Sequence, residues 1–359
     1  MKVALVYDRV NKWGGAERLI VALKKMFPEA PLYTSVYDKK KANWASIFKI
    51  ETSFLQQIPL ASSSHEFYAT LMPIAFESFS FDQYDLVISV TSEAAKGIIT
   101  KPGTTHICFC LTPTRYLWSG YETYFKNPYL KFFAGPVISY LRFWDKIASK
   151  RPDELIAISN EVKKRIKKYY KRDSEVIYPP ITLLSDNANV SQGEYFLVVS
   201  RLVPYKRIDL AIKACKELKL PLKIIGSGSQ KQYLKKISSK NIEFLGHLTD
   251  KELIYYYKNC KGLIFPGVED FGLSMVEAQA FGKPVIAQRA GGALEIVKEG
   301  ITGEFFDNPT VESLREVLIN FNVSRYNSEN CQKNARNFSF KEFEQKFTEF
   351  LKSRLDKNL

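Results

Sequence analysis

The chain has 359 residues, which is longer than one hydrophobic core usually spans and fits two domains of ordinary size. Hydrophobic residues make up 45% and charged residues 25%, a composition that excludes a mostly disordered chain. The net charge of +14 favours a polyanionic partner (nucleic acid, an anionic membrane surface or a phosphorylated substrate), although a generally basic surface gives the same value.

Short β-rich runs alternate with helical patterns along the whole chain. The strands expected in the first half are Val3–Tyr7, Asp85–Val90, Ile107–Cys110, Glu154–Ile158 and Val176–Tyr178. Those expected in the second half are Tyr195–Val199, Leu222–Ile225, Ile242–Leu245, Gly262–Pro266 and Pro284–Ala287. Most are continuous apolar runs, which are typical of parallel strands buried on both faces. Helical spacing at residues 16–27 and 208–215 lies between strands, so the pattern predicts doubly wound α/β domains.

A break between Tyr178 and Tyr195 marks the expected domain boundary. Pro179-Pro180 continues neither a helix nor a strand, and a polar run follows it. We therefore expect an α/β class chain of two Rossmann-like domains, residues 1–184 and 185–339, facing across a cleft. Residues 340–355 have a helical spacing of Phe and Leu, so residues 340–359 are expected to form a helix that docks on the N-terminal domain.

Two candidate sites lie in the first half. Gly14 and Gly15 follow the first strand and open a helix, where free amides suit a phosphate or a sugar oxygen, although an ordinary strand-to-helix turn gives the same pattern. The second candidate follows the strand that ends at Cys110. It mixes aromatic residues with one Arg, as sugar and base contacts do, while core packing explains its aromatic residues equally well. Its candidate site residues are Leu111, Thr112, Arg115 and Tyr116.

Two candidate sites lie in the second half, again after strands. Arg201 and Lys206 frame a proline-containing loop, and cations at the carboxyl end of a parallel strand suit a phosphate, whereas a solvated surface pair is the plainer interpretation. Glu269 precedes a helix that Glu277 enters by about one turn. The amides between them, at Phe271, Gly272 and Leu273, are uncapped donors for the anionic part of the same ligand.

Metal, redox and nucleic-acid chemistry lack the expected motifs. The three histidines, His65, His106 and His247, stand in unrelated contexts, and no Asp-x-Asp pair is present, so we expect neither a metal nor another cofactor. No nucleic-acid motif is recognisable, so a nucleic-acid partner is not expected. The five cysteines are odd in number and lack zinc-site spacing, which favours buried thiols in a reducing cytoplasm. Asp8 and Arg9 follow the first apolar run too closely for a signal peptide.

The order of these pieces resembles the family-4 retaining glycosyltransferases, which have two Rossmann-like domains (the GT-B fold). The resemblance rests on Gly14-Gly15-Ala16-Glu17-Arg18, on Arg201 with Lys206, and on Glu269-x7-Glu277. It is most specific where Glu269-Asp270-Phe271-Gly272-Leu273 leads through Glu277 into Gly282-Lys283-Pro284 and Gly291-Gly292. Trp144-Asp145, Arg151-Pro152-Asp153 and Tyr178-Pro179-Pro180 are similar to a branch with many mannosyltransferases of bacterial surface polysaccharides.

The resemblance implies a role for each candidate. Arg201 and Lys206 would bind the donor diphosphate and steady the departing nucleotide in place of a metal, and Glu269 would contact the donor sugar. These three would be the catalytic residues. Glu277 would hold the ribose hydroxyls. The remaining donor contacts would be Gly14, Gly15, His247 and the backbone of Phe271, Gly272 and Leu273. The acceptor-side residues would be Leu111, Thr112, Arg115 and Tyr116.

The implied activity is transfer of mannose from GDP-mannose, with retention, to a glycan or a lipid-linked acceptor, and a UDP-hexose is the alternative donor. Many members of that branch carry His before Thr-Pro, where this chain has Leu111. That replacement leaves open a different donor, a role taken over by Arg115, or a catalytically weak sugar-binding or partner subunit.

Residues 129–151 mix aromatic and basic side chains at helical spacing, and lysines of residues 163–171 follow. Such a helix suits an anionic inner leaflet, so a cytoplasmic protein that is peripheral on the membrane is one interpretation. An intradomain helix with a solvated basic face is the other.

Overall fold

The computed structural model describes residues 1–59, 61, 68–181 and 193–355, with the side chain of Leu130 excepted. The chain divides into two compact units, Met1–Pro179 together with the residues from Glu344 onward, and Pro180–Phe343. The boundary expected between residues 184 and 185 lies outside the described residues. None of the helices in the described ranges is long and apolar enough to cross a membrane.

The first unit is built on a seven-stranded parallel sheet in the order β3-β2-β1-β4-β5-β6-β7. Its strands are β1 Val3–Tyr7, β2 Leu32–Thr34, β3 Ile50–Thr52, β4 Leu86–Thr91, β5 Thr105–Cys110, β6 Glu154–Ala157 and β7 Glu175–Val176. Its helices are α1 Gly15–Met26, α2 Met72–Glu77, α3 Tyr121–Tyr124, α4 Pro128–Ala148 and α5 Asn160–Tyr170. The carboxyl end of β1 therefore leads into α1, and that of β5 into the candidate segment at Leu111.

The second unit repeats this plan with a six-stranded parallel sheet in the order β10-β9-β8-β11-β12-β13. Its strands are β8 Tyr195–Val199, β9 Leu222–Ile225, β10 Ile242–Gly246, β11 Cys260–Phe265, β12 Val285–Gln288 and β13 Gly303–Phe306. Its helices are α6 Ile208–Glu217, α7 Lys231–Ile237, α8 Asp250–Lys258, α9 Leu273–Ala280, α10 Ala293–Ile296, α11 Val311–Asn320 and α12 Ser328–Arg336. The order changes direction at β8 and β11, which is where open parallel sheets bind ligands beyond their carboxyl ends.

The last helix, α13 Phe340–Leu355, follows the second unit. From Glu344 onward its residues belong to the first unit, where Phe347 packs against Phe27 and Phe109 at ring distances of 6.5 and 5.0 Å. The predicted doubly wound α/β class is confirmed, and all five cysteines are buried thiols. The sequence pattern missed β2, β3 and β13.

His106 on β5 is a fully buried histidine whose Nε2 atom lies 2.8 Å from Ser89 Oγ. Burial, together with the nearby charges of Arg172 and Arg151, lowers its pKa to about 3. The pKa of a histidine in the unfolded chain is about 6.5, so below that pH the unfolded chain binds more protons than the folded one. The stability that the neutral ring contributes is therefore complete above about pH 6.5 and is lost as the pH falls towards 3.

We expect this group to lower the unfolding free energy of the first unit by about 2 kcal/mol between roughly pH 7 and pH 5. His106→Gln cannot take up the proton, so its unfolding free energy should fall by about 2 kcal/mol less than that of wild type over the same pH interval. Urea unfolding followed by tryptophan fluorescence measures this unit selectively, because all four tryptophans lie in it. The exposed His247 of the second unit supplies the control, His247→Gln, which should behave as wild type. Equal losses in His106→Gln and wild type would contradict the assignment.

Candidate functional site

Arg201 and Lys206 lie at the carboxyl end of β8, as the sequence predicted. Arg201 is exposed, and its Nη2 atom donates to Tyr205 Oη over 2.5 Å. Lys206 closes a single 3₁₀ turn, Pro204–Lys206, that leads into α6. The loop after β8 therefore carries one exposed guanidinium and one ammonium near the same strand end.

Lys206 and Glu269 form an ion pair, although they come from different strand ends. Their side chains are only 12% and 15% exposed. Gly267 makes the approach possible, because a Cβ atom at that position would lie 2.7 Å from Lys206 Cα. The sequence singled out both residues for the donor, and the structure adds that they are partners.

The backbone of Glu269 is fixed by the loop after β12. The Gly292 amide donates to the Glu269 carbonyl over 2.9 Å. The sequence marked Gly291-Gly292 only as part of the family resemblance, and this hydrogen bond gives the pair a structural role. Glu269 is thus fixed at two points, its carboxylate by Lys206 and its backbone carbonyl by Gly292.

The start of α9 supplies backbone amides beside this pair. Gly272 adopts a φ of +107° immediately before Leu273, and no side chain caps the helix. The Phe271 ring is buried against Phe338 at 5.5 Å, so its side chain anchors the turn and leaves only its backbone for a ligand. An uncapped helix start of this kind binds anions.

Glu277 lies one turn into α9 and is only 3% exposed. Its Oε2 atom accepts a 2.8 Å hydrogen bond from Tyr257 Oη of α8, and Tyr257 in turn stacks on Phe281 at 5.6 Å. Tyr257 therefore fixes the direction of the carboxylate. The sequence analysis missed Tyr257, whose spacing in α8 looks like ordinary core packing.

His247 follows β10 and is exposed. The Gly246 carbonyl before it accepts from the Gly226 amide over 2.7 Å, which ties this loop to the one after β9. The second unit thus gathers Arg201, Lys206, Glu269 and the start of α9 at neighbouring strand ends, with His247 on an outer strand of the same edge.

In the first unit, Gly14 is extended and precedes α1, again without a side-chain cap. The helix start is fixed from behind, because Tyr7 Oη donates to Glu17 Oε1 over 2.6 Å. Gly15 is the first residue of α1. The predicted strand-to-helix turn is therefore present, and its amides face no side-chain cap.

The segment from Leu111 to Trp118 is held mainly by buried polar contacts. Arg165 Nη1 donates to Thr112 Oγ1 over 3.3 Å. Burial raises the pKa of the Tyr116 phenol well above its usual value, and the charges of Glu93 and Asp145 add to this. Leu111 and Arg115 are each half-buried.

Asp145 is the residue that organises this segment, and the sequence analysis did not single it out for a site. It is 1% exposed and pairs with Lys96, also 1% exposed, at 2.6 Å. It also accepts from Thr114 Oγ1 at 3.0 Å and from Trp118 Nε1 at 2.7 Å. The available signal was that Asp145 is the one acid of α4, since a buried charge needs such partners.

Asp8, after β1, is a second residue without a predicted role. Its buried carboxylate accepts from the amides of Ser92, Glu93, Ala94 and Ala95 at 2.7 to 3.1 Å. It thereby shapes the turn after β4, beside the turn after β1. In the described ranges no three His, Cys, Asp or Glu side chains are placed to hold a metal ion.

Comparison with known proteins agrees with this architecture. Residues 183–338 match the family of glycosyl transferases group 1. The uncharacterized glycosyltransferase MJ1178 of Methanocaldococcus jannaschii is 30% identical over 210 residues, which cover 55% of this chain and 59% of that protein. A GDP-mannose-dependent monoacylated alpha-(1-6)-phosphatidylinositol monomannoside mannosyltransferase of Corynebacterium glutamicum is 35% identical over 136 residues, 33% of this chain and 35% of its own. These relatives are matched over less than two thirds of their length.

The fold is also that of a solved structure, HepE of Anabaena in complex with UDP and glucose. The two superpose with a TM-score of 0.73 at 20% identity, over 98% of this chain and 100% of HepE. Structures of this similarity are GT-B glycosyltransferases, so the whole described chain has the GT-B fold.

Proposed function

We propose that this chain, which has the GT-B fold and whose residues 183–338 match the family of glycosyl transferases group 1, is a retaining, metal-independent hexosyltransferase. Its donor is a nucleotide diphosphate sugar. The observation that carries the proposal is the arrangement of Lys206, Glu269 and Glu277 at one edge of the second sheet, because cations for a diphosphate and carboxylates for hydroxyl groups lie around one uncapped helix start.

The ion pair of Lys206 and Glu269 suggests how the donor is held. Without a ligand, each charge compensates the other. A diphosphate near Lys206 would share that cation, while Arg201, exposed beside it, adds a bidentate donor. Glu269 then accepts hydrogen bonds from the hydroxyl groups of the sugar, and the amides at Phe271, Gly272 and Leu273 donate to sugar or phosphate oxygens.

The transfer step is a front-face substitution. The acceptor hydroxyl oxygen bonds to the anomeric carbon while the bond from that carbon to the donor phosphate breaks, both on the same face of the sugar. The departing phosphate oxygen takes the hydroxyl proton. Negative charge grows on the diphosphate, and Arg201 and Lys206 stabilise it more strongly in the transition state than in the bound donor.

We propose GDP-mannose as the donor and a glycan or lipid-linked acceptor at the inner face of the membrane. The Corynebacterium glutamicum relative, by its name, uses GDP-mannose and a phosphatidylinositol-linked acceptor, which supports both parts. A UDP-hexose is the second candidate donor, favoured by the UDP and glucose bound to HepE. Leu111, in place of the His of many relatives, favours one further alternative, a catalytically weak sugar-binding subunit.

A thermal-shift panel with EDTA present separates these donors. With the donor at about a hundred times its Kd, GDP-mannose should raise the Tm by roughly 5 °C or more, and UDP-glucose, ADP-glucose and dTDP-glucose by less. A larger shift with UDP-glucose would establish the second candidate. No shift with any donor in EDTA would contradict metal-independent binding. Slow hydrolysis of the bound donor, followed by NMR of the released anomer, distinguishes an enzyme from a sugar-binding subunit and reports retention.

A further inference from the structure

Helix α4 presents a long aromatic face to solvent. Tyr129 and Phe132 are each 78% exposed, Phe133 is 75% and Phe143 is 68%. Three further apolar residues extend the same face, namely Val137, Tyr140 and Ile147. These seven residues, the aromatic face, follow helical spacing over almost the full length of α4. So large a contiguous apolar patch is uncommon on a monomer and marks an interaction surface.

The opposite side of α4 is fastened to the first unit, so the exposure is not that of a loose helix. Ile138 and Leu141 are buried against Leu117. Arg142 Nε donates to the Leu117 carbonyl over 2.7 Å. Asp145 holds Lys96, Thr114 and Trp118 as described above. The helix therefore carries its aromatic face at a fixed orientation to the segment of residues 111–118.

Positive charge outweighs negative charge around this face, although Lys131 of α4 pairs with Glu122 at 2.9 Å. Residues 126–150 contain one acidic residue, Asp145, and it is buried. The exposed cations of this stretch are Lys126, Lys146 and Lys150. The Lys146 ammonium lies 5.5 Å from the centre of the Trp118 ring, and that ring stacks on Tyr169 of α5. The lysine-rich α5 thus continues the cationic surface next to α4.

We propose that the aromatic face of α4 inserts into the headgroup region of an anionic lipid bilayer, with Lys126, Lys146 and Lys150 at its rim. The exposed rings suit the membrane interface, and the cations suit acidic headgroups. A second copy of the chain fits less well, because two such surfaces would bring the exposed rim cations together on chains of net charge +14. α4 then lies parallel to the bilayer over about 30 Å of its length.

Lipid binding by α4 extends the proposed function, because it would bring the enzyme to the membrane surface. Through Asp145, α4 is tied to Thr114 and Trp118 in the expected acceptor-side segment. A lipid-linked acceptor is then presented at the same bilayer surface on which α4 rests. That consequence rests on the proposed function, whereas the lipid-binding surface itself rests on the exposure and charge of α4.

The test is cosedimentation of the full chain with vesicles of phosphatidylcholine alone or mixed equally with phosphatidylglycerol. Wild type should sediment with the mixed vesicles at low salt and not with phosphatidylcholine alone. Phe132→Ser/Phe133→Ser/Phe143→Ser should weaken binding by about 100-fold or more. Lys146→Gln/Lys150→Gln, which removes two exposed charges, should weaken it by about tenfold or more. The control is Tyr233→Ser/Tyr255→Ser, two exposed rings of the second unit, which should bind as wild type.

Three results would contradict the proposed lipid-binding role of α4. They are wild type left in the supernatant with anionic vesicles, the aromatic variant binding as tightly as wild type, and the lysine variant binding as tightly as wild type. Gel filtration supplies a fourth, a wild-type dimer that the aromatic variant converts to monomer while vesicle binding persists. The donor-induced thermal shift keeps the two proposals apart. An aromatic variant that keeps the donor-induced Tm shift but no longer sediments with vesicles supports the lipid-binding role of α4. Wild type that binds vesicles but whose Tm rises with none of the donors supports that role and contradicts the proposed function.

Discussion

Replacing Glu277 by glutamine is expected to weaken the binding of GDP about 10- to 150-fold. A hydrogen bond to a charged group contributes about 1.5 to 3 kcal/mol and one to a neutral group about 0.5 to 1.5 kcal/mol, so the hydrogen bonds from the two ribose hydroxyls together lose about 1.5 to 3 kcal/mol. Glutamine has the same size and keeps an oxygen for the Tyr257 hydroxyl, which now donates to Glu277 over 2.8 Å. The fold of α9 is therefore preserved. Glu277→Ala should lower the affinity for every ribonucleotide donor at least as far. Isothermal titration with GDP and with GDP-mannose measures the change.

A comparison of ligands identifies the contact that is lost. Wild type should prefer GDP to 2′,3′-dideoxy-GDP by a large factor, and Glu277→Gln should bind the two almost equally. Glu304→Gln is the matched control, since Glu304 also accepts from a tyrosine, Tyr326, but at β13. It should keep the wild-type preference. Undiminished affinity in Glu277→Gln, or a preference that survives in it, would refute the ribose assignment.

The sequence predicted the fold because long parallel strands carry a strong signal. The continuous apolar runs of β1, β4, β5 and β8 are all buried in their sheets. The strands that the sequence pattern missed have a weaker signal of the same kind. β2 and β3 have three residues each, too few to show a period, and β13 begins at Gly303, a poor strand former. β3 and β13 lie at the edges of their sheets, where one pairing partner is enough, whereas β2 pairs with both β1 and β3.

The candidate site was predictable only as far as chain position determines it. Arg201, Lys206 and Glu269 follow strands, so parallel topology alone brings them to one edge of the sheet. The ion pair of Lys206 with Glu269 was not predictable, because it depends on how closely the loop at Gly267 approaches Lys206.

The buried residues that hydrogen-bond to the candidate site residues were also not predictable from the sequence. Tyr257 is a helix residue at ordinary core spacing, and Asp145 is one acid among the apolar and basic residues of α4. Only their packing places the Tyr257 hydroxyl on Glu277, and the Asp145 carboxylate on Lys96 and Trp118. The role of a buried polar group depends on its hydrogen-bond partners, and spacing along the chain does not determine which side chains those are.

Lys206→Met should lower the rate of sugar transfer about 100- to 1,000-fold, with a smaller effect on donor affinity. A cation that meets charge as it develops on the leaving group is worth that much when it is removed from a shielded site. Lys206 is shielded, with 12% of its side chain exposed. Single-turnover transfer from GDP-mannose, alongside donor titration, separates rate from binding. Lys213→Met, an exposed lysine of α6, is the control and should transfer at the wild-type rate.

The ion pair with Glu269 offers a second explanation for such a loss, and a double variant separates the two. Lys206→Met leaves Glu269 without its cation, and an uncompensated carboxylate would repel the donor diphosphate. If neutralising Glu269 were all that Lys206 does, Lys206→Met/Glu269→Gln would recover most of the lost rate. If Lys206 stabilises the departing diphosphate directly, the double variant stays as slow as Lys206→Met or becomes slower, because the sugar contact of Glu269 is lost as well. We expect the second outcome, and recovery of the rate in the double variant would reduce Lys206 to a counter-ion.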